Sequence, residues 1–374
     1  MKKLVCIILC LACMAFPLSA SAAGVSVSAR SCVLYCVDNG KVYYSKNKNK
    51  RMKPASTTKL MTTLLVLEYA AKNNKQVEFT EDMIAEGSSM YLKVGEVVTL
   101  RDLAVGLMLC SGNDAANAAA ISIAGSTEKF AGLMNKRAAK IGMKHTHFVT
   151  PSGLDDDNHY STAYDLALLM AQALKNKEFR ALTSRKISQV RFVKPSNKIT
   201  AYSNHNRLLS LYKPCIGGKT GYTTAAGRCL VTASKKNGLT LVCVTLDDKR
   251  DWRDHMTLCD YGFSKLRMNI LDDSQLCLEV PTVGGVKPST TVVGQGRDFL
   301  VTEKSDPEVI KSRIMLDNFL YAPVVKRKNL GTVEYFYKGK LIASHKLKAI
   351  ENNNSIKENK NFFEIIKGML NNAF

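Results

Sequence analysis

The chain has 374 residues, 46% apolar and 23% charged, which is enough to bury at least one large core and too apolar for wholesale disorder. Its 53 basic against 32 acidic residues leave a formal net charge of +21, so its natural partners are polyanions: nucleic acid, anionic lipid or an anionic cell wall. The first residues decide among these. Met1-Lys2-Lys3 is a positive n-region, Leu4 to Phe16 an apolar run, and Ala20-Ser21-Ala22 a small-residue cleavage site. Together they predict a secretory signal peptide over 1–22, since about thirteen apolar residues are too few to span a bilayer. Export removes nucleic acid from the partners.

Three of the eleven cysteines fall in that leader, leaving eight. Cys32 and Cys36 lie in a strand pattern, Cys32-Val33-Leu34-Tyr35-Cys36-Val37, where four residues span about 13 Å, beyond the ~7 Å that a disulfide tolerates between Cα atoms. Cys110, Cys215, Cys229, Cys243 and Cys277 sit among apolar neighbours, as small hydrophobes do. The single bridge worth testing is Cys229 to Cys243, across a hairpin turning near Lys236-Asn237-Gly238. No cysteine spacing fits zinc, and His145, His147 and His159 fit no ligand pattern, so neither metal nor cofactor is expected.

In chain order, Ser31 to Val37, Asp38-Asn39-Gly40 and Lys41 to Ser45 predict a β-hairpin. A basic rim follows at Lys46, Lys48, Lys50, Arg51 and Lys53. Pro54-Ala55-Ser56-Thr57-Thr58-Lys59 then opens a run free of Gly and Pro, which reads as a helix. Residues three apart on a helix share a face, so Lys59 can lie against the hydroxyl of Ser56, as a base lies beside its nucleophile. Residues 72–150 read as helical segments with a loop around Gly87-Ser88-Ser89 and a short strand at Gly95 to Leu100. Arg101 to Cys110 and Asp114 to Ala124 read as two helices whose junction is Ser111-Gly112-Asn113, a rigid mount for a second hydroxyl and an amide.

Further on, Asn204-His205-Asn206-Arg207 precedes Lys219-Thr220-Gly221-Tyr222, and Arg228 to Ser234 and Leu239 to Leu246 read as adjacent antiparallel strands. Lys-Thr-Gly on a sheet edge offers backbone groups to an extended peptide, with the charge of Lys219 and the hydroxyl of Thr220 beside it. Past Leu271, β-prone runs at Leu276 to Val280, Thr290 to Val293, Phe299 to Thr302 and Thr332 to Tyr337, with a hairpin at Lys338-Gly339-Lys340, predict a small all-β domain. Glu351 to Ser355 reads as a polar linker. Phe362, Phe363, Ile365, Ile366, Met369, Leu370 and Phe374 recur at helical spacing, a stripe suited to a membrane interface rather than a span.

The ordered set Ser56-x-x-Lys59, Ser111-Gly112-Asn113 and Lys219-Thr220-Gly221 is the motif series of penicillin-binding proteins and serine β-lactamases. With Met61, Asp114-Ala115-Ala116, Pro151-Ser152-Gly153-Leu154 and His159-Tyr160-Ser161-Thr162-Ala163-Tyr164-Asp165, the chain resembles the D-alanyl-D-alanine carboxypeptidases of low molecular mass from about Cys32 to Leu266. The resemblance implies an α/β (α+β) serine β-lactamase/transpeptidase-like catalytic domain over 23–272, with an antiparallel sheet flanked by helices. A β-rich domain over 273–350 and an anchoring helix over 351–374 would follow, holding an exported enzyme peripherally on the outer face of the cytoplasmic membrane.

By the same resemblance, Ser56 is the nucleophile, Lys59 its base and Ser111 a proton relay. Asn113, Lys219, Thr220, Gly221 and Tyr222 bind substrate, with the amides of Ser56 and Tyr222 cradling the oxyanion, and Arg250 or Arg253 assists the substrate's terminal carboxylate. The implied partners are a peptidoglycan stem peptide and, as covalent inhibitors, β-lactams. Two other readings are a class A-like β-lactamase and a non-catalytic wall-binding scaffold. No Glu lies between Lys129 and Lys177 to drive class A deacylation, and all the motif side chains are intact, which disfavours both.

Overall fold

The computed structural model describes residues 25–356; the expected leader and the apolar stripe beyond Ile356 lie outside the described residues. The described chain divides between Ser264 and Lys265 into two compact units.

In the first unit, β1 (Ser31–Cys36), β2 (Lys41–Lys46), β7 (Cys215–Thr223), β8 (Gly227–Lys236) and β9 (Leu239–Leu246) form one antiparallel sheet in the order β2-β1-β9-β8-β7. The Asn39-Gly40 turn joins β1 to β2 as expected, with Gly40 at φ +70. Two short ribbons, β3 (Gln76–Glu78) with β4 (Val97–Thr99) and β5 (Ile187–Arg191) with β6 (Ile199–Ser203), stand apart from the sheet. The helices are α1 (Lys59–Ala70), α2 (Leu100–Met108), α3 (Asn113–Ala124), α4 (Thr127–Ile141), α5 (Ala163–Ala173), α6 (Lys177–Thr183), α7 (Leu208–Leu211) and α8 (Asp251–Lys265).

Strand alternation sorts the layers. Val33, Tyr35, Val231, Ala233, Val242 and Val244 point into one continuous core with α1 to α6. On the opposite face His255 of α8 bonds Thr232 and Thr245 at 2.7 and 3.1 Å, and Gly262 lets α8 close on Leu34 and Leu241. Helix α1 is central: ten of its twelve residues are buried, which is what a helix apolar on nearly every side requires. Within residues 72–150, the loop around Gly87-Ser88-Ser89 and the strand expected over Gly95 to Leu100 are present, the latter as β4, but the helical segments expected between Lys72 and Glu86 are replaced by β3 and a 3₁₀ turn at Glu81–Met83. The polar run ahead of Gly87-Ser88-Ser89 gives that stretch no apolar stripe to bury.

The Cys229–Cys243 bridge does not form, and all eight cysteines described are free. The hairpin does turn at Asn237-Gly238, but its register pairs Cys229 with Leu246 and Cys243 with Thr232. An offset of three residues puts the two thiols on opposite faces of the sheet.

The second unit is β-rich. Its strands are β10 (Leu266–Asp272), β11 (Cys277–Val283), β12 (Ser289–Gly294), β13 (Arg297–Glu303), β14 (Lys311–Leu316), β15 (Leu320–Tyr321), β16 (Asn329–Tyr337) and β17 (Lys340–Ala349). β10 pairs only with β13; the others form a six-stranded sheet in the order β14-β16-β17-β12-β11-β15 around Val292, Val333, Tyr335 and Leu347. The hairpin at Lys338-Gly339 is where the alternation places it. Glu351 to Ser355 is not a free linker. Asn353 is buried and its side-chain amide donates to Lys287 O, Ser289 O and Thr290 Oγ1, which pins the segment to the unit.

Candidate active site

The segment ahead of α1 begins with a 3₁₀ turn, Ala55–Thr58, rather than an α-helical one. Ala55 stands at φ +48, a left-handed conformation that costs an alanine about 1–3 kcal/mol unless its surroundings impose it. They do. A Cβ on Gly153 would fall on the carbonyl oxygen of Ala55, and a Cβ on Gly221 of β7 would lie 3.0 Å from the amide nitrogens of Ser56 and Thr57. Glycine at both positions lets the loop at 150–154 and the edge strand close on the turn from two sides. His159 holds the turn from below. Its Nδ1 accepts the amides of Val149 and Thr150 at 3.0 and 3.2 Å, which leaves Nε2 as the donor to Thr58 Oγ1 at 2.9 Å.

Lys59, the first residue of α1, is fully buried, and its amine meets three oxygens: Asn113 Oδ1 at 2.6 Å, Ser152 O at 2.7 Å and Ser56 Oγ at 3.0 Å. The first two can only accept, so each takes an N–H. Asn113 is fixed in that orientation because its Nδ2 donates to Glu86 O at 2.6 Å. A neutral amine has two N–H groups and one lone pair, and the remaining direction faces a hydroxyl able to donate. Burial, and then the charge of Lys219, push the Lys59 amine well below the usual lysine range. The amine is thus arranged and tuned to accept the proton of Ser56.

Ser111 and Asn113 flank the turn between α2 and α3, with Ser111 at φ +61. Asp114 fastens the neighbouring loop to that turn, accepting Ser89 Oγ at 2.7 Å and the amides of Met90 and Leu92 at 2.8 and 3.2 Å. The backbone closes the same contact: Asn113 N donates to Ser88 O at 2.7 Å.

A cleft of about 300 Å³ opens over these groups, lined by Ser56, Ser88, Ser111, His205, Thr220, Gly221, Tyr222, Arg228, Asp251 and Trp252. Its wall at Thr220 to Tyr222 is β7, the last strand of the sheet, whose outer side no strand covers among the described residues. Lys219 pairs in register with Val231 and is buried behind the cleft, its Nζ donating to Thr220 O at 3.0 Å. Burial lowers its ammonium to about 7.

Of the residues expected from the sequence, Ser56, Ser111, Thr220, Gly221 and Tyr222 meet at the cleft. Lys59, Asn113 and Lys219 stand directly behind it. Arg250 and Arg253 are exposed and do not line it. The arginine that does is Arg228, which pairs across β7–β8 with Tyr222. Its Nε and Nη2 grip the buried carboxylate of Asp251 at 2.7–3.2 Å, and its guanidinium lies 5.7 Å from the ring of Trp252. No sequence spacing signals Arg228, Asp251, Trp252 or Ser88; the β7–β8 register brings in the first, α8 the next two, and the contact from Asn113 N the last.

A family model described as D-alanyl-D-alanine carboxypeptidase matches residues 18–250, and one described as penicillin-binding protein 5, C-terminal domain, matches residues 279–355. The chain is 32% identical to D-alanyl-D-alanine carboxypeptidase DacF of Bacillus subtilis, over 86% of this chain and 85% of the relative. It is also 32% identical to DacC of Escherichia coli, over 87% and 84%. Among solved structures, penicillin binding protein 5 from Haemophilus influenzae superposes with a TM-score of 0.64 at 29% identity, covering 88% of this chain and 98% of that one.

Proposed function

For a chain that belongs to the D-alanyl-D-alanine carboxypeptidase family of serine peptidases, we propose removal of the terminal D-alanine from peptidoglycan stem pentapeptides through an acyl-enzyme at Ser56. The observation that carries this is the Lys59 amine, with both N–H groups committed to carbonyl oxygens and its remaining position 3.0 Å from Ser56 Oγ.

Ser56 Oγ adds to the carbonyl carbon between the two D-alanines while its proton passes to Lys59. The oxyanion is held by the amides of Ser56 and Tyr222, a role supported by the close approach of Gly221 to the Ser56 amide. Collapse breaks the C–N bond. The proton reaches the departing amine through Ser111, and D-alanine leaves. Water then adds to the ester, giving up its proton to Lys59, and Ser56 is regenerated. An extended stem peptide lies along β7. Its carboxylate meets Thr220 and the field of Lys219, with the N–H groups of Arg228 not held by Asp251 as the assisting cation in place of Arg250 or Arg253. Asn113 orients Lys59 and keeps a second Nδ2 hydrogen for a substrate amide.

β-Lactams carry the same acyl geometry and would acylate Ser56. Slow release of labelled penicillin separates this reading from a β-lactamase, for which turnover would be rapid. Export through a leader over 1–22, and peripheral attachment to the outer face of the membrane through the stripe from Phe362 to Phe374, complete the proposal. The test is mass spectrometry of a stem pentapeptide incubated with the mature chain. Loss of one alanine by the wild type and none by Ser56→Ala is expected; an unchanged pentapeptide with the wild type would leave only the scaffold reading.

A further inference from the structure

At one end of the second unit, three stretches are tied together by backbone hydrogen bonds. Val283 of β11 pairs with Tyr321 of the parallel β15, and Ala322 N donates to Val283 O at 3.0 Å. Ile356 N donates to Gly284 O at 2.9 Å, and Val286 N to Asn354 O at 2.9 Å. Burial alternates along the paired strands, with Thr282 and Leu320 inside and Val283 and Tyr321 outside. Six of the side chains left outside on these stretches are apolar, interspersed with exposed Lys287, Asn318, Asn354 and Ser355 and one acidic residue, Asp317: Val283 is 53% exposed, Val286 67%, Phe319 47%, Tyr321 70%, Val325 59% and Ile356 62%. Phe319 and Tyr321 stack edge to face, 5.4 Å between centroids. Single exposed apolar residues need no explanation, but six on adjoining segments mark an interaction surface.

Charge selects the occupant. Lys326, Arg327 and Lys328 follow Val325 directly, all exposed, and none is ion-paired among the described residues. The rest of the chain, 357–374, begins at this surface and carries three lysines against two glutamates, a side-chain charge of +1, so it does not complement the cationic run. A second copy would bring like charges together. An anionic lipid surface complements both the charge and the apolar side chains, with Tyr321 suited to the headgroup level.

We propose that this end of the second unit docks on anionic lipid, with Val283, Tyr321 and Val325 at the acyl boundary and Lys326 to Lys328 on the phosphates. The inference rests on the membrane attachment proposed above and adds a second, folded contact to it.

The test uses the full mature chain with phosphatidylglycerol-containing vesicles. Tyr321→Trp should give emission quenched by brominated lipid, after subtraction of the wild-type signal from Trp252. Ile187→Trp, exposed in the first unit, should stay unquenched. The triple variant V283S/Y321S/V325S, checked for an unchanged melting profile, should weaken vesicle partition about tenfold, and K326Q/R327Q/K328Q should remove the preference for anionic lipid. If the Tyr321→Trp protein binds vesicles with its introduced indole unquenched, the proposal is overturned and attachment through the stripe stays intact. Quenching of that indole, with F362E/F363E still bound, upholds the proposal and removes the stripe as anchor. A wild type that ignores vesicles overturns both. Shielding of the same indole from acrylamide without lipid, relieved by F362E/F363E, would make the chain's own tail the occupant. Dimerisation lost in the triple variant would make it a second copy. Either result overturns the lipid assignment.

Discussion

Asn113 Oδ1 stands 2.6 Å from the amine of Lys59, closer than the 3.0 Å that separates this amine from Ser56 Oγ. The amide therefore does more than await a substrate: it takes one N–H of the lysine and so aims the lone pair. Asn113→Ala should strand a buried N–H at a cost of about 1–3 kcal/mol, lowering the rate of Ser56 acylation roughly tenfold to a hundredfold. Stopped-flow acylation by a chromogenic β-lactam reads this directly. An unchanged acylation rate with weaker substrate binding would return Asn113 to a purely substrate-holding role.

Two lysines with lowered values shape the pH dependence. Lys59 must be deprotonated to act, so kcat/KM should rise with pH on the acid side. Lys219 must be protonated to attract a carboxylate and falls to about 7, so kcat/KM should decline above that pH. A bound carboxylate favours the charged form of Lys219, and the alkaline limb of kcat should therefore lie at higher pH than that of kcat/KM. Coincident limbs in the two profiles would exclude Lys219 as the carboxylate partner.

Gly153→Ala places a Cβ on the Ala55 carbonyl at a backbone with φ +84. Displacing the turn that carries Ser56 should lower stability by about 1–3 kcal/mol and abolish most acylation. Gly125→Ala has the same φ and nothing within 4 Å, so it should cost only the backbone term and leave acylation alone. Thermal melts and penicillin labelling of the two variants make the comparison.

Buried His159 is held neutral, its value lowered from 6.5 to about 4 by desolvation. Between these values the unfolded chain binds a proton that the folded chain does not, so stability falls as pH drops from 6.5 to 4, by about 3 kcal/mol for this group. His255, lowered to about 3 by burial, acts in the same direction. Denaturant midpoints at pH 7 and 5 should differ less in His159→Asn, which cannot titrate, than in the wild type.

Asp114→Asn should release the Ser88 to Leu92 loop, because a neutral amide cannot accept from three donors and still satisfy its own N–H groups. Hydrogen exchange at Met90 and Leu92 should accelerate, with a fall in kcat/KM of about tenfold. Unchanged protection would show that the backbone contact from Asn113 N to Ser88 O holds the loop alone.

The three motifs were legible because each is local and each lies on a regular mount: the head of α1, the α2–α3 turn, and β7. The hairpin at Asn39-Gly40 and most strands of the second unit were legible through turn chemistry and alternation. What the sequence withheld depends on register and on long-range closure. Arg228 reaches the cleft because β8 pairs it with Tyr222, while Arg250 and Arg253, nearer the expected place, turn outward. The cysteine bridge failed on the same ground, a three-residue offset that composition cannot reveal. The Ser88 to Leu92 loop follows no periodicity because its conformation is set by partners elsewhere, Asp114 and the Asn113 amide.

Ala55, which precedes the nucleophile, and Ser111, in the lining of the cleft, are both non-glycine residues in left-handed backbone. Two of the eight non-glycine residues with positive φ among the described residues thus sit where the chemistry is placed, and none of the eight lies in an α-helix. Variants recovered for heat tolerance should accumulate around those two positions, and the hardier chain should be the slower catalyst.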